Sequence, residues 1–194
     1  MISDGVPSVA HWSEGEQLAV LEACLFACPE PLSPDHLAEV LGVDSSRIHQ
    51  LIETLLHRYR GREFGVELLS VAGGIQLRTK AIYYDVVQHV VDSEPERLSP
   101  AAIETLALVA YRQPITRPEI DQIRGVNTSH LLRRLYEENL IRVLGRKDAP
   151  GKPKLYGTTP RFLEQFGLTC LEDLPPLPSD ILPSEATLEE DAAN

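Results

Sequence analysis

The sequence predicts a mainly α, α+β chain: two tandem winged-helix domains with small β-hairpins, followed by an acidic C-terminal tail. Two observations carry this prediction. Amphipathic helical stretches come in threes, each set followed by a pair of short β-rich runs. The two sets also align on one another without a gap, at a constant offset of 83 residues.

The first helix is expected over about Glu16–Cys28, where Leu18, Leu21, Leu25 and Cys28 follow the spacing of one apolar face. Leu18, Leu21, Leu25 and Phe26 are expected to face a core. Pro29 and Pro31 stop the helix. Ser33–Pro34 has the form of an N-cap and first-turn proline for a short helix to Leu41, which Gly42 ends. Asp44 or Ser45 caps a third helix running to about Arg60, with Ile48, Leu51, Ile52, Leu55, Leu56 and Tyr59 on its apolar face. The period then changes. Phe64–Val71 and Ile75–Lys80 have strand character, and Gly73–Gly74 between them signals a hairpin. A helix over about Ala81–Val91 follows, and then a polar linker, Asp92–Arg97.

The second half repeats the order. Pro100–Arg112 is a helix capped by Ser99, and Pro114 bars its extension. Thr116 caps a short helix to Arg124, ended by Gly125, and Asn127 or Thr128 caps a third to about Asn139. Ile141–Leu144 and Leu155–Thr159 are candidate strands around a turn-rich stretch, and Pro160–Phe166 is a last short helix. In the gapless alignment Pro31, Gly42, Val43 and Ser46 match Pro114, Gly125, Val126 and Ser129 identically. Leu32/Ile115, Ser33/Thr116, Leu37/Ile120, Ile48/Leu131 and Ile52/Leu135 match in kind. Helix, tight glycine turn, helix and hairpin together make a winged helix. The boundaries expected are a flexible N-terminus (1–14), a first domain (15–92), a second domain (98–171) and the tail (172–194).

Composition narrows the function. The 194 residues carry a formal net charge of −11, against a role of coating nucleic acid. That charge is uneven: residues 1–92 carry −7, residues 93–170 carry +3 and residues 171–194 carry −7. No apolar run approaches the ~20 residues of a membrane helix, and Met1–Trp12 lacks the features of a secretory signal. Three cysteines argue against a disulfide framework and for a reducing, cytoplasmic setting.

No catalytic constellation emerges. Gly145–Lys152 has five residues between its glycines where a phosphate-binding loop has four, and Pro153 stands where that loop needs Ser or Thr. Cys24 and Cys28 lie one helical turn apart but lack the further ligands of a zinc site. His49 and His57 lie off their helix's apolar stripe. No enzyme activity, metal or cofactor is expected.

The segments AYRQPITRPEI, IRGV, PGKPKLYGTT and FLEQFGL…LEDLPPL, with EACLFACPEPLSPDHLAEVLG in the first half, resemble the bacterial segregation and condensation protein B family. The resemblance implies a non-enzymatic adaptor that dimerises through its N-terminal domain and binds the kleisin, segregation and condensation protein A, largely through the second domain. The kleisin in turn links it to the SMC ATPase for chromosome condensation and segregation, so DNA is met indirectly or weakly and no membrane is involved. The expected location is the cytoplasm, at the nucleoid. Candidate kleisin contacts within the family motifs are Tyr111, Gln113, Arg117, Arg124 and Tyr156. Helix termination and capping explain Pro114, Ile115 and Thr116, but not Tyr111, Gln113 and Arg117. The rival reading is a tandem winged-helix transcription regulator. It rests on Arg133 and Arg134 of the helix that would enter DNA and on Arg146, Lys147, Lys152 and Lys154 of the wing, with Glu137 and Glu138 opposing them. Leu174–Leu177 is a candidate to pack back on the second domain, and solubility is the default role of the tail.

Overall fold

The computed structural model describes residues 8–91 and 97–176. Most of the linker (92–96) and most of the acidic tail therefore lie outside the described residues, as do residues 1–7. The chain is mixed α/β, with small antiparallel sheets.

The first half begins with α1 (Glu14–Ala27), held by a reciprocal capping box between Ser13 and Glu16. Helix α2 (Pro34–Leu41) is capped by Ser33 and ends at Gly42, whose φ of 63° is left-handed. Helix α3 (Ser45–Arg58) and the hairpin β1 (Val66–Val71) and β2 (Gly74–Thr79) complete it. Leu21, Ile48 and Leu55 are fully buried at their centre. Each such side chain contributes roughly 2 kcal/mol by leaving water. A 3₁₀ turn (Ala81–Tyr83) and α4 (Tyr84–Val91) follow, with no buried side chain in either.

The second half is α5 (Pro100–Arg112), the two-residue β3 (Ile115–Thr116), α6 (Arg117–Arg124), α7 (Ser129–Glu137), β4 (Ile141–Arg146), β5 (Lys154–Thr158) and α8 (Pro160–Phe166). Strand order is β3-β5-β4, all antiparallel. A second apolar cluster, centred on Leu106, Ile120, Leu135 and Leu140, packs independently of the first.

Helices α2 and α6 lie 83 residues apart at both ends, and Gly42 and Gly125 take the same left-handed turn at φ 63° and 65°. Backbone pairing keeps the offset at one end only: Leu32 bridges Ile75 of β2 and Ile115 pairs with Tyr156 of β5, and these two partners lie 81 residues apart. The third helices break the register by one residue at their starts, Ser45 against Ser129. Asp121 Oδ1 accepts from the amide and hydroxyl of Thr128, at 2.7 and 2.6 Å, while Asn127 Oδ1 accepts from the Ser129 amide.

Three expectations need correction. The hairpin turn is Ala72–Gly73, both at positive φ, because Gly74 already pairs with Val71. Gly74 is needed for another reason: a side chain there would stand 3.0 Å from the Leu32 backbone. Phe26 is 81% exposed, since it lies one residue round the helix from buried Leu25. Residues 8–13 are not loose: Val9 is buried, its amide donates to Leu41 O at 2.9 Å, and its carbonyl accepts from Gln17 Nε2 at 2.9 Å. Packing extends past residue 171, as expected of Leu174. Leu168, Leu171 and Leu174 recur every third residue and lie against the second cluster, around a 3₁₀ turn at Leu171–Asp173.

The two halves meet through polar groups. The hairpin turn donates from Ala72 N to Leu168 O (2.8 Å) and from Gly73 N to Thr169 O (3.1 Å). Thr169 Oγ1 donates to Ser70 O at 3.1 Å. Beside them, Arg78 pairs with the Glu164 carboxylate at 3.3 Å and donates to its carbonyl at 3.1 Å, while Gln76 Nε2 donates to the same carboxylate.

Candidate partner-binding groove

Lys154 and Tyr156 are two apart on β5, so they share one face of the sheet. Tyr156 pairs with Val143 of β4 on one side and with Ile115 of β3 on the other. Helix α7 lies across this face and presents Ser129, Leu132, Arg133 and Tyr136 at helical spacing. Arg117, at the start of α6, closes the rim, and the eight residues enclose a shallow groove. Its lining mixes aromatic and aliphatic side chains with the cations Arg117, Arg133 and Lys154.

Of the five candidate contacts, the groove holds Arg117 and Tyr156. Arg117 pairs with Asp121 at 3.7 Å and stays half exposed. The other three have different surroundings. Gln113 spans from α5 to β5: its Nε2 donates to Ala110 O and Thr158 Oγ1, and its Oε1 accepts from Thr158 N at 2.8 Å. Gly157 permits that crossing, because a Cβ there would meet Gln113 Oε1 at 2.7 Å. Tyr111 donates its hydroxyl to Pro175 O at 2.7 Å. Arg124 is largely covered and ion-paired with Glu104. Sequence reasoning missed Ser129, Leu132, Tyr136 and Val143 as site residues. The i, i+4, i+7 spacing of Ser129, Arg133 and Tyr136 was the available signal.

The cations are largely answered within the fold. Arg133 pairs with Glu137 at 2.8 Å, Arg134 with Glu138 at 2.6 Å and Lys147 with Glu119 at 2.6 Å. Burial opposes ionisation of Glu119, but Lys147 and the hydroxyl and amide of Thr116 outweigh it and hold the carboxyl below its ordinary range. The Lys154 ammonium and the Tyr136 and Tyr156 hydroxyls have no partner among the described residues.

A second surface is apolar. Ile82, Val86, Val90 and Val91, on and just before α4, are exposed, as is Phe26 of α1. Cys24, Cys28 and Cys170 are free thiols, and burial raises that of Cys24. Among the described residues, no group of three or more His, Cys, Asp or Glu is placed to hold a metal ion, and no helix is long and apolar enough to cross a membrane.

Residues 19–177 match the family model of the segregation and condensation complex subunit ScpB. Segregation and condensation protein B of Moorella thermoacetica is 44% identical over 172 residues, covering 89% of this chain and 88% of that one. Its Bacillus subtilis counterpart is 41% identical over 175 residues, covering 88% and 89%. Among solved structures, ScpB from Mycobacterium tuberculosis aligns over 81% of this chain and 98% of its own at 34% identity, with a TM-score of 0.40. A dimer of the ScpB N-terminal domain complexed with ScpA peptide aligns over 39% and 95% at 31% identity, TM-score 0.38. With the family model spanning most of its length and relatives matched almost end to end, the chain belongs to the segregation and condensation protein B family.

Proposed function

We propose that this chain is a binding subunit of a bacterial SMC–kleisin complex, built as two winged-helix units that work by association rather than catalysis. The observation that carries the reading is the match to segregation and condensation protein B over most of both chains. The groove between α7 and β5 supports it. Its Tyr136, Tyr156, Leu132 and Val143 suit an apolar anchor, and Arg117, Arg133 and Lys154 suit flanking carboxylates. The proposed occupant is a segment of the kleisin, segregation and condensation protein A, the ScpA of the complex above. Gln113 and Tyr111 serve as positioning residues, the one fixing β5 and the other the chain beyond α8.

Self-association belongs to the first half. Ile82, Val86 and Val90 recur every fourth residue and expose one apolar stripe, which a second copy covers. DNA is met through the assembly, because Arg133 and Arg134 of α7 and Lys147 of the wing are paired with carboxylates of the same half.

The test is binding of the purified kleisin to the full chain, with nuclease present. Arg117→Glu weakens it at least about tenfold with the fold intact, the scale of a lost charge contact at an interface. Val86→Glu with Val90→Glu yields a monomer by sedimentation. No kleisin binding by the native chain, or association that requires DNA, overturns the reading.

A further inference from the structure

The second half is followed in sequence by a segment whose composition matches its groove. The chain continues for eighteen residues beyond Pro176, and these include Asp180, Glu185, Glu189, Glu190 and Asp191 but no Lys or Arg. Ile181, Leu182 and Leu188 stand among the carboxylates. That composition complements the groove, where the Arg117 and Arg133 side chains stay exposed and Lys154, Tyr136 and Tyr156 have polar atoms without a partner among the described residues.

The point of departure favours the same half. Leu171 and Leu174 pack against the second cluster, and Pro175 is tied to the Tyr111 hydroxyl. Tyr111 lies four residues before Ile115, the strand partner of the groove's Tyr156. Eighteen residues span up to roughly 60 Å, about twice the width of a domain this size. A tethered segment acts at a local concentration in the millimolar range, on the order at which charge pairs too weak for a free peptide suffice.

We propose that residues 177–194 bind the α7–β5 groove of their own chain, and so compete with any acidic partner for it. The proposal stands whatever that partner is. Its consequence is a threshold: the apparent affinity of an incoming acidic segment falls by the fraction of chains whose groove is free.

The test compares amide NMR spectra of the full chain with those of a full-length variant carrying Asp180→Asn, Glu185→Gln, Glu189→Gln, Glu190→Gln and Asp191→Asn. The amides of Arg117, Arg133, Val143, Lys154 and Tyr156 are expected to shift, and those of α1–α3 to stay. Raising salt moves the native spectrum toward the variant's, because the contacts are largely ionic. A synthetic peptide of residues 177–194, added in trans, binds the variant about fivefold or more tightly than the native chain. Unchanged groove amides overturn the proposal, as does equal affinity of the peptide for both chains. Shifts spread evenly over Arg142, Arg161 and the other exposed cations also overturn it. Shifts that grow with protein concentration assign the segment to a second copy and overturn the intramolecular contact.

Discussion

Gly42 and Gly125 occupy the same turn in the two halves, yet replacing each by alanine should have unequal effects. Both have left-handed backbones, at φ 63° and 65°, so an alanine at either costs about 1 kcal/mol. At Gly125 nothing lies within 4 Å of the added Cβ. At Gly42 the Cβ would stand 2.8 Å from Ser8 Cβ and Oγ and 3.1 Å from Ser8 Cα. Ser8 cannot simply retreat, because Val9 beside it is buried and hydrogen-bonded to Leu41 O. Moving Ser8 also breaks its own hydrogen bond to Gly42 O, at 2.8 Å. The lost bond and the overlap add about 2 kcal/mol. Gly42→Ala should therefore cost about 3 kcal/mol and Gly125→Ala about 1. The assay is amide hydrogen exchange, which resolves the two clusters where a single melting curve would blend them. Protection in α3 should fall on the order of hundredfold in Gly42→Ala, and protection in α7 about fivefold in Gly125→Ala. Equal losses would refute the steric part of the reasoning, and no loss at Gly125 would refute the strained turn.

Two further outcomes follow from the ionic contacts. Glu119 has a folded pKa below its ordinary 4.5, so its contribution is complete above that value and is lost as pH falls through the folded one; protection of α6 should drop between about pH 5 and pH 3, and Glu119→Gln should flatten that drop. Glu164→Ala removes the carboxylate that Arg78 and Gln76 share; exchange at Ala72 and Gly73 should speed up several-fold while α3 and α7 keep their protection, and slowed or unchanged exchange would show that the backbone pairs alone hold the halves together.

The helices were legible because their signals are local. Ser33 with Pro34, Ser99 with Pro100 and the glycines at 42 and 125 mark ends that the structure reproduces to the residue. Strand β3 was not legible, because two residues carry no period and Ile115 pairs only once β5 has folded beside it. The exposure of Phe26 and the anchoring of Val9 were hidden for the same reason: one depends on which side of α1 lacks a neighbour, the other on a contact with Leu41 thirty-two residues away. In the candidate site, Arg117 and Tyr156 are thirty-nine residues apart in sequence and meet only through the sheet. Motif membership could not separate them from Gln113, whose amide is consumed in holding that sheet together.

Helix α4 spans eight residues and buries none of its side chains. Eight residues are below the ~12 at which an isolated helix becomes even marginal in water. If a second copy covers Ile82, Val86 and Val90 as proposed, the helical state of α4 is coupled to that contact, and coiling and pairing become one equilibrium. Dilution would then act as a denaturant on this segment alone. Far-ultraviolet ellipticity should fall as the chains part while Leu21 and Leu106 remain packed, so that the amount of protein in solution sets the length of its secondary structure.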